Sequence, residues 1–61
     1  MITLNTHYTH YKNKQTYITK DYCKIQENDI WIDAIIYISI DEDKLFVRSI
    51  KEFKEKFIKL I

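Results

Sequence analysis

Several groups of side chains in this 61-residue chain are of types that can do chemistry, and each has a plainer structural use beside it. His7, His10 and Cys23 are zinc-ligand types. Residues three apart on a strand point to opposite faces, so the two histidines cannot share a metal without a bulge. The spacing instead gives His10 a hydrogen-bonding role beside the first turn and leaves His7 near the surface. Cys23 has no activating neighbour in the sequence and reads as a small, partly buried filler. Asp41-Glu42-Asp43 lacks the rest of a calcium loop and reads as a solvated hairpin tip. Asp33 is the only acid inside a strong strand pattern, and a two-carboxylate hydrolase needs a second acid across a cleft. No catalytic residue, no metal and no cofactor is expected.

Binding chemistry is better represented. Trp31, Asp33, Tyr37, Phe46 and Arg48 fall on one face of a proposed hairpin, and aromatics with arginine are the types enriched at binding hot spots. Arg48 opposite Tyr37 would offer a planar donor fork to a carboxylate or phosphate. The plainer reading makes these rings a second small core. Two partner classes follow: a protein gripped by this face or by an exposed strand edge, and a nucleotide-like anion held by Arg48, His10, Tyr11 and nearby aromatics in an oligomer. A weaker third is nucleic acid, met by Lys12, Lys14, Lys20 and Lys24 with Tyr11, Tyr17 and Tyr22 to stack on bases. Lysines on an exposed hairpin also simply prevent edge-to-edge aggregation.

The elements that must position these residues are legible in outline. The chain has no glycine and no proline, so phosphate-binding loops, dinucleotide fingerprints and nucleophile elbows have no place in it. Turns must come from Asn and Asp, at Lys12-Asn13-Lys14, Glu27-Asn28-Asp29 and Asp41-Glu42-Asp43. They divide the chain into extended segments near 3–12, 15–25, 30–40 and 45–48. In the third segment Ile30, Ile32, Ala34, Ile36, Ile38 and Ile40 alternate with Trp31, Asp33, Ile35, Tyr37 and Ser39, and the isoleucine side is taken as core. A loop at 41–44 would pair Ile40 with Leu45, Ile38 with Val47 and Tyr37 with Arg48. Ser49 and Glu52 form a capping-box pattern for a helix near 49–60, with Ile50, Phe53, Phe57, Leu60 and Ile61 as its apolar stripe. Glu52 with Lys56 and Glu55 with Lys59 stand at i,i+4.

The expected fold is therefore mainly β with one C-terminal helix: a small SH3-like antiparallel barrel, or a strongly bent four-stranded sheet packed by the amphipathic helix, in a single domain. So short a chain buries only about 60% of its unfolded surface. With a single cysteine excluding an internal disulfide, homo-oligomerisation is the expected staple. One free thiol suits a cytoplasmic setting, and the most apolar stretch, 30–40, is far short of the ~20 residues of a spanning helix. A net charge of +1 makes no general case for polyanions.

Tyr8-Thr9-His10-Tyr11-Lys12-Asn13, Ile35-Ile36-Tyr37 and Leu45-Phe46-Val47-Arg48-Ser49 followed by Phe53 form a pattern that resembles domain of unknown function 1653. That family of small bacterial proteins carries a Tyr-x-His-Tyr-Lys-Gly start, a Val-Val-Tyr centre and a Leu-Trp-Val-Arg-Pro end. Asn13 stands where the family has glycine, which points to a left-handed residue there, and Ser49 stands where it has proline. Phe46 replaces its tryptophan. The resemblance implies a small, bent, SH3-like sheet and no established activity.

Overall fold

The structure is a computed structural model that describes residues 1–60. Five strands and one helix follow each other as β1 (His7–His10), β2 (Thr16–Glu27), β3 (Ile30–Ser39), β4 (Leu45–Ser49), α1 (Ile50–Lys56) and β5 (Phe57–Lys59). All pairings are antiparallel, in the order β4-β3-β2-β1-β5. The sheet is bent around its core and stays open, with β4 and β5 as its two edges. The expected class is thus found, with five strands in place of four.

The turns form without glycine because polar residues take the left-handed positions. Asn28 and Asp29 both have positive φ, 51° and 64°, which closes β2 onto β3 through a two-residue loop of right-handed twist. In the first turn the positive φ falls on Lys14, not on Asn13. Asn13 serves through its side chain, whose Oδ1 accepts from the Gln15 N–H at 2.8 Å. Beyond the third turn the register differs from the expected one. Ile38 pairs with Leu45, Tyr37 with Phe46 and Ile35 with Arg48, because the loop spans 40–43 and closes one residue earlier on each side. Asp43 makes this possible by taking φ 55°, while the Ser39 hydroxyl accepts from the Glu42 N–H at 3.2 Å.

The core lies on the opposite face of β3 from the isoleucines. Ile35, Tyr37 and Ser39 are buried, whereas Ile30 and Ile40 are exposed and Ile32, Ile36 and Ile38 are only half-buried. Ala34 alone of the expected series is fully buried. The reason is aromatic. Tyr8 of β1, Tyr17 of β2, Tyr37 of β3 and Phe46 of β4 gather on the inner face, and Phe53 and Phe57 close over them. Phe53 and Phe57 stack with centroids 4.1 Å apart, and Tyr37 meets both edge-on at 5.2 Å. Rings carry more apolar area each than isoleucine and gain further from edge-to-face packing, so the helix settles on their side.

The helix is shorter than the apolar stripe suggested. Ser49 caps it, extended at φ −60° and ψ 149°, with its hydroxyl accepting from the Glu52 N–H at 3.2 Å. Glu52 does not complete the reciprocal half of a capping box; its carboxylate turns to Arg48 and Lys56. At Phe57 the chain becomes extended and pairs with β1, His10 opposite Phe57 and Tyr8 opposite Lys59. The expected Glu55–Lys59 pair is consequently replaced by Lys59 Nζ donating to Thr3 Oγ1 at 3.2 Å. Leu60 is exposed, and Ile61 lies outside the described residues.

A bulge at Lys20, between Thr19 and Asp21, reverses the facing of β2 and brings Tyr22 onto the inner side, where its hydroxyl donates to the Ile2 carbonyl. Thr19 completes the tie to the first residues. Fully buried, it donates from Oγ1 to the Thr3 carbonyl at 2.6 Å and accepts from the Thr6 N–H at 3.3 Å. A valine there keeps the shape and removes both bonds. Thr19→Val is expected to destabilise the fold by about 1–3 kcal/mol, read as a lower urea midpoint at unchanged slope.

Candidate functional site

Arg48 is the centre of the polar chemistry. Its Nε donates to the Tyr37 hydroxyl at 2.8 Å, its Nη1 pairs with Glu52, and its guanidinium lies 5.6 Å from the centre of the Phe57 ring. Lys56 approaches the same Glu52 carboxylate at 3.5 Å, as the i,i+4 spacing anticipated. Burial pushes the Tyr37 phenol up, and the Arg48 bond works against that. Arg48 is thus held by an acceptor on β3 and a carboxylate on α1. Its fork does not stand free for an external phosphate.

His10 joins this cluster from β1. It is buried, meets Phe57 edge-on at 4.9 Å and stacks on the exposed ring of Tyr11 at 5.3 Å. Its Nδ1 accepts from the Lys12 N–H at 3.1 Å, the turn-side bond expected of it, so the proton of the neutral ring sits on Nε2. Burial, then Arg48, Lys56 and Lys12, hold its pKa below the usual 6.5. Below that value the unfolded chain takes up a proton that the folded chain refuses. The stability this provides is present above pH 6.5 and is lost as pH falls toward the folded value. We expect the melting temperature to drop as pH falls below 6.5, and to drop less in His10→Asn, whose amide oxygen keeps the Lys12 bond. An equal drop in both would remove His10 from this role.

The other candidate residues do not converge here. Trp31 is 63% exposed beside the β2–β3 turn, paired with Gln26. Asp33 faces Lys24 across the strands at 3.0 Å, an exposed ion pair worth little. Both share the face of Arg48 by alternation, yet at about 3.3 Å per residue Trp31 lies some ~13 Å along β3 from Ile35, the residue opposite Arg48. Tyr37 is core, and Tyr17, expected as a stacking platform for bases, is buried as well. Among the described residues no three His, Cys, Asp or Glu side chains are grouped to hold a metal ion. Among the same residues no helix is long and apolar enough to cross a membrane.

What sequence reasoning missed is the edge beside Arg48. Ser39 N–H bonds the Lys44 carbonyl at 3.0 Å, which makes Ser39–Lys44 a hydrogen-bonded pair. Alternation along the ladder then turns the backbone groups of Phe46 and Arg48 toward β3, and those of Leu45, Val47 and Ser49 toward the open side. Beside Arg48 an open depression of about 270 Å³ is lined by Phe46, Val47, Arg48 and Ser49 together with Tyr37, Glu52, Ile25 and Glu27. Leu45 and Val47, on the outer face, are 72% and 48% exposed. The strand contains no lysine, proline or bulge, and its one charged side chain, Arg48, is turned to Tyr37 and Glu52. The other edge, β5, is three residues long and includes Lys59.

In the core behind Arg48, Tyr8 and Tyr37 both pack edge-on against Phe53. Compared with known proteins, the chain matches no family model, no curated protein and no solved structure.

Proposed function

We propose that the chain is a non-enzymatic binding module that engages a protein partner along the open edge of β4, with Leu45 and Val47 as its apolar contacts. The observation that carries this reading is an edge strand with exposed aliphatic side chains, backed by the packed cluster around Arg48. Added strands gain affinity from main-chain hydrogen bonds and specificity from alternate side chains. Arg48, anchored to Tyr37 and Glu52, and the stacked rings beneath it keep the strand pre-ordered, which lowers the entropy lost on docking. The anionic-ligand alternative is weaker because Glu52 already neutralises Arg48 and Glu27 adds a second carboxylate to the depression.

A photo-crosslinking side chain placed at Leu45 in the protein's own host tests this. A discrete adduct from position 45, absent when the probe is at the exposed Lys14 in the first turn, is the expected result. Equal patterns from both positions, or none from position 45, would contradict the proposal.

A further inference from the structure

We infer that the strand received by β4 is the β4 of a second copy, paired antiparallel across a two-fold axis at Val47. The inference rests on the edge-binding reading above and names its partner. An antiparallel pairing of identical strands is isologous, so every contact occurs twice. With the axis at Val47, the backbone groups turned to the open side meet their own kind: Val47 exchanges two hydrogen bonds with its symmetry mate, and Leu45 comes opposite Ser49.

Charge selects this register. The only formal charge in β4 is Arg48, and an axis at Val47 sets it opposite the ring of Phe46. An axis at Phe46 would oppose Lys44 to Arg48 twice, and an axis at Arg48 would oppose that residue to itself. Like charges directly opposite are destabilising. In the Val47 register Leu45 and Val47 of both copies form one continuous aliphatic strip on the outer face, next to the half-buried Ile36 and Ile38 of β3. The two sheets become one of ten strands, and both apolar edges vanish together. A domain this small has few other means of adding buried area.

Sedimentation velocity over about 5 to 500 µM tests this, because self-association is driven by concentration. The wild type should pass from monomer to dimer, and Val47→Pro should stay monomeric with an unchanged far-UV spectrum. Proline is tolerated at an edge position whose N–H faces outward, and here it deletes the bond at the axis. Val47→Lys keeps the backbone intact, sets two lysines against each other, and should weaken dimerisation at least ~10-fold even if the proline variant fails to fold. A wild type that stays monomeric throughout, or variants that dimerise as it does, would overturn the inference. A monomer that still yields a crosslink from position 45 to another protein would sink self-pairing alone. A monomer with no such crosslink would sink the edge reading as well.

Discussion

Replacing Phe53 by alanine is expected to remove a large part of the chain's stability, far more than any change on the aliphatic face. Phe53 is fully buried, stacked on Phe57 at 4.1 Å and met edge-on by Tyr8 and Tyr37, both at 5.2 Å. Removing such a ring costs about 3–5 kcal/mol through lost transfer energy and the cavity left behind. At roughly 0.05–0.15 kcal/mol per residue, a chain of 61 residues holds only about 3–9 kcal/mol in all. Leu45→Ala, on the aliphatic face, should by contrast shift stability by no more than about 0.5 kcal/mol in dilute solution. Circular dichroism melts of the two variants decide which face of the sheet is the core. A folded Phe53→Ala beside a severely weakened Leu45→Ala would mean that the faces are inverted.

The second large effect concerns association. The double change Leu45→Lys with Val47→Lys is expected to weaken partner binding by more than ~30-fold, which is the ~2 kcal/mol scale of a central hot spot. The melting temperature of the isolated chain should stay within a few degrees of the wild type, since neither side chain belongs to the aromatic core. Lysine is the residue natural edge strands use to refuse additional strands, so the variant should also be more soluble. Binding that survives both changes would place the contact elsewhere, with the exposed Trp31 as the next surface to test.

Much of the local structure was legible because single residues specify it. Asn28-Asp29 closes a hairpin through its own tolerance of positive φ, and Ser49 caps the helix with its own hydroxyl. The bond from the Lys12 N–H to His10 also follows from a histidine placed beside a turn. What depends on distant partners was not legible. The isoleucine alternation in β3 is real, but Ile35 and Tyr37 make its other face equally apolar, and periodicity alone does not rank two apolar faces. The ranking signal was one aromatic per strand, Tyr8, Tyr17, Tyr37 and Phe46, which become neighbours only once the strands pair. Phe57 continues a helical spacing yet belongs to a strand, because β1 offers it a ladder and tertiary pairing outweighs a weak helical preference.

The site was half legible for the same reason. Arg48, Tyr37 and Phe46 were placed on one face correctly, and their contact survives the changed register because a shift of two residues preserves facing. Glu52 as the partner of Arg48 was not available from helical spacing, since Arg48 lies in β4 before the Ser49 cap. The open edge was not available, since which strand ends a sheet is a property of topology. A fifth strand pairing with β1 leaves β4 at the margin beside its exposed aliphatic side chains.

Residue-resolved amide hydrogen exchange along β4 is the most direct measurement of that edge. In dilute solution the Phe46 and Arg48 amides should be protected by β3 while the Val47 amide exchanges freely; raising the concentration should protect Val47 selectively. A Val47 amide already protected when dilute, or one that stays free at every concentration, would contradict β4 as the strand through which this protein binds its own copy.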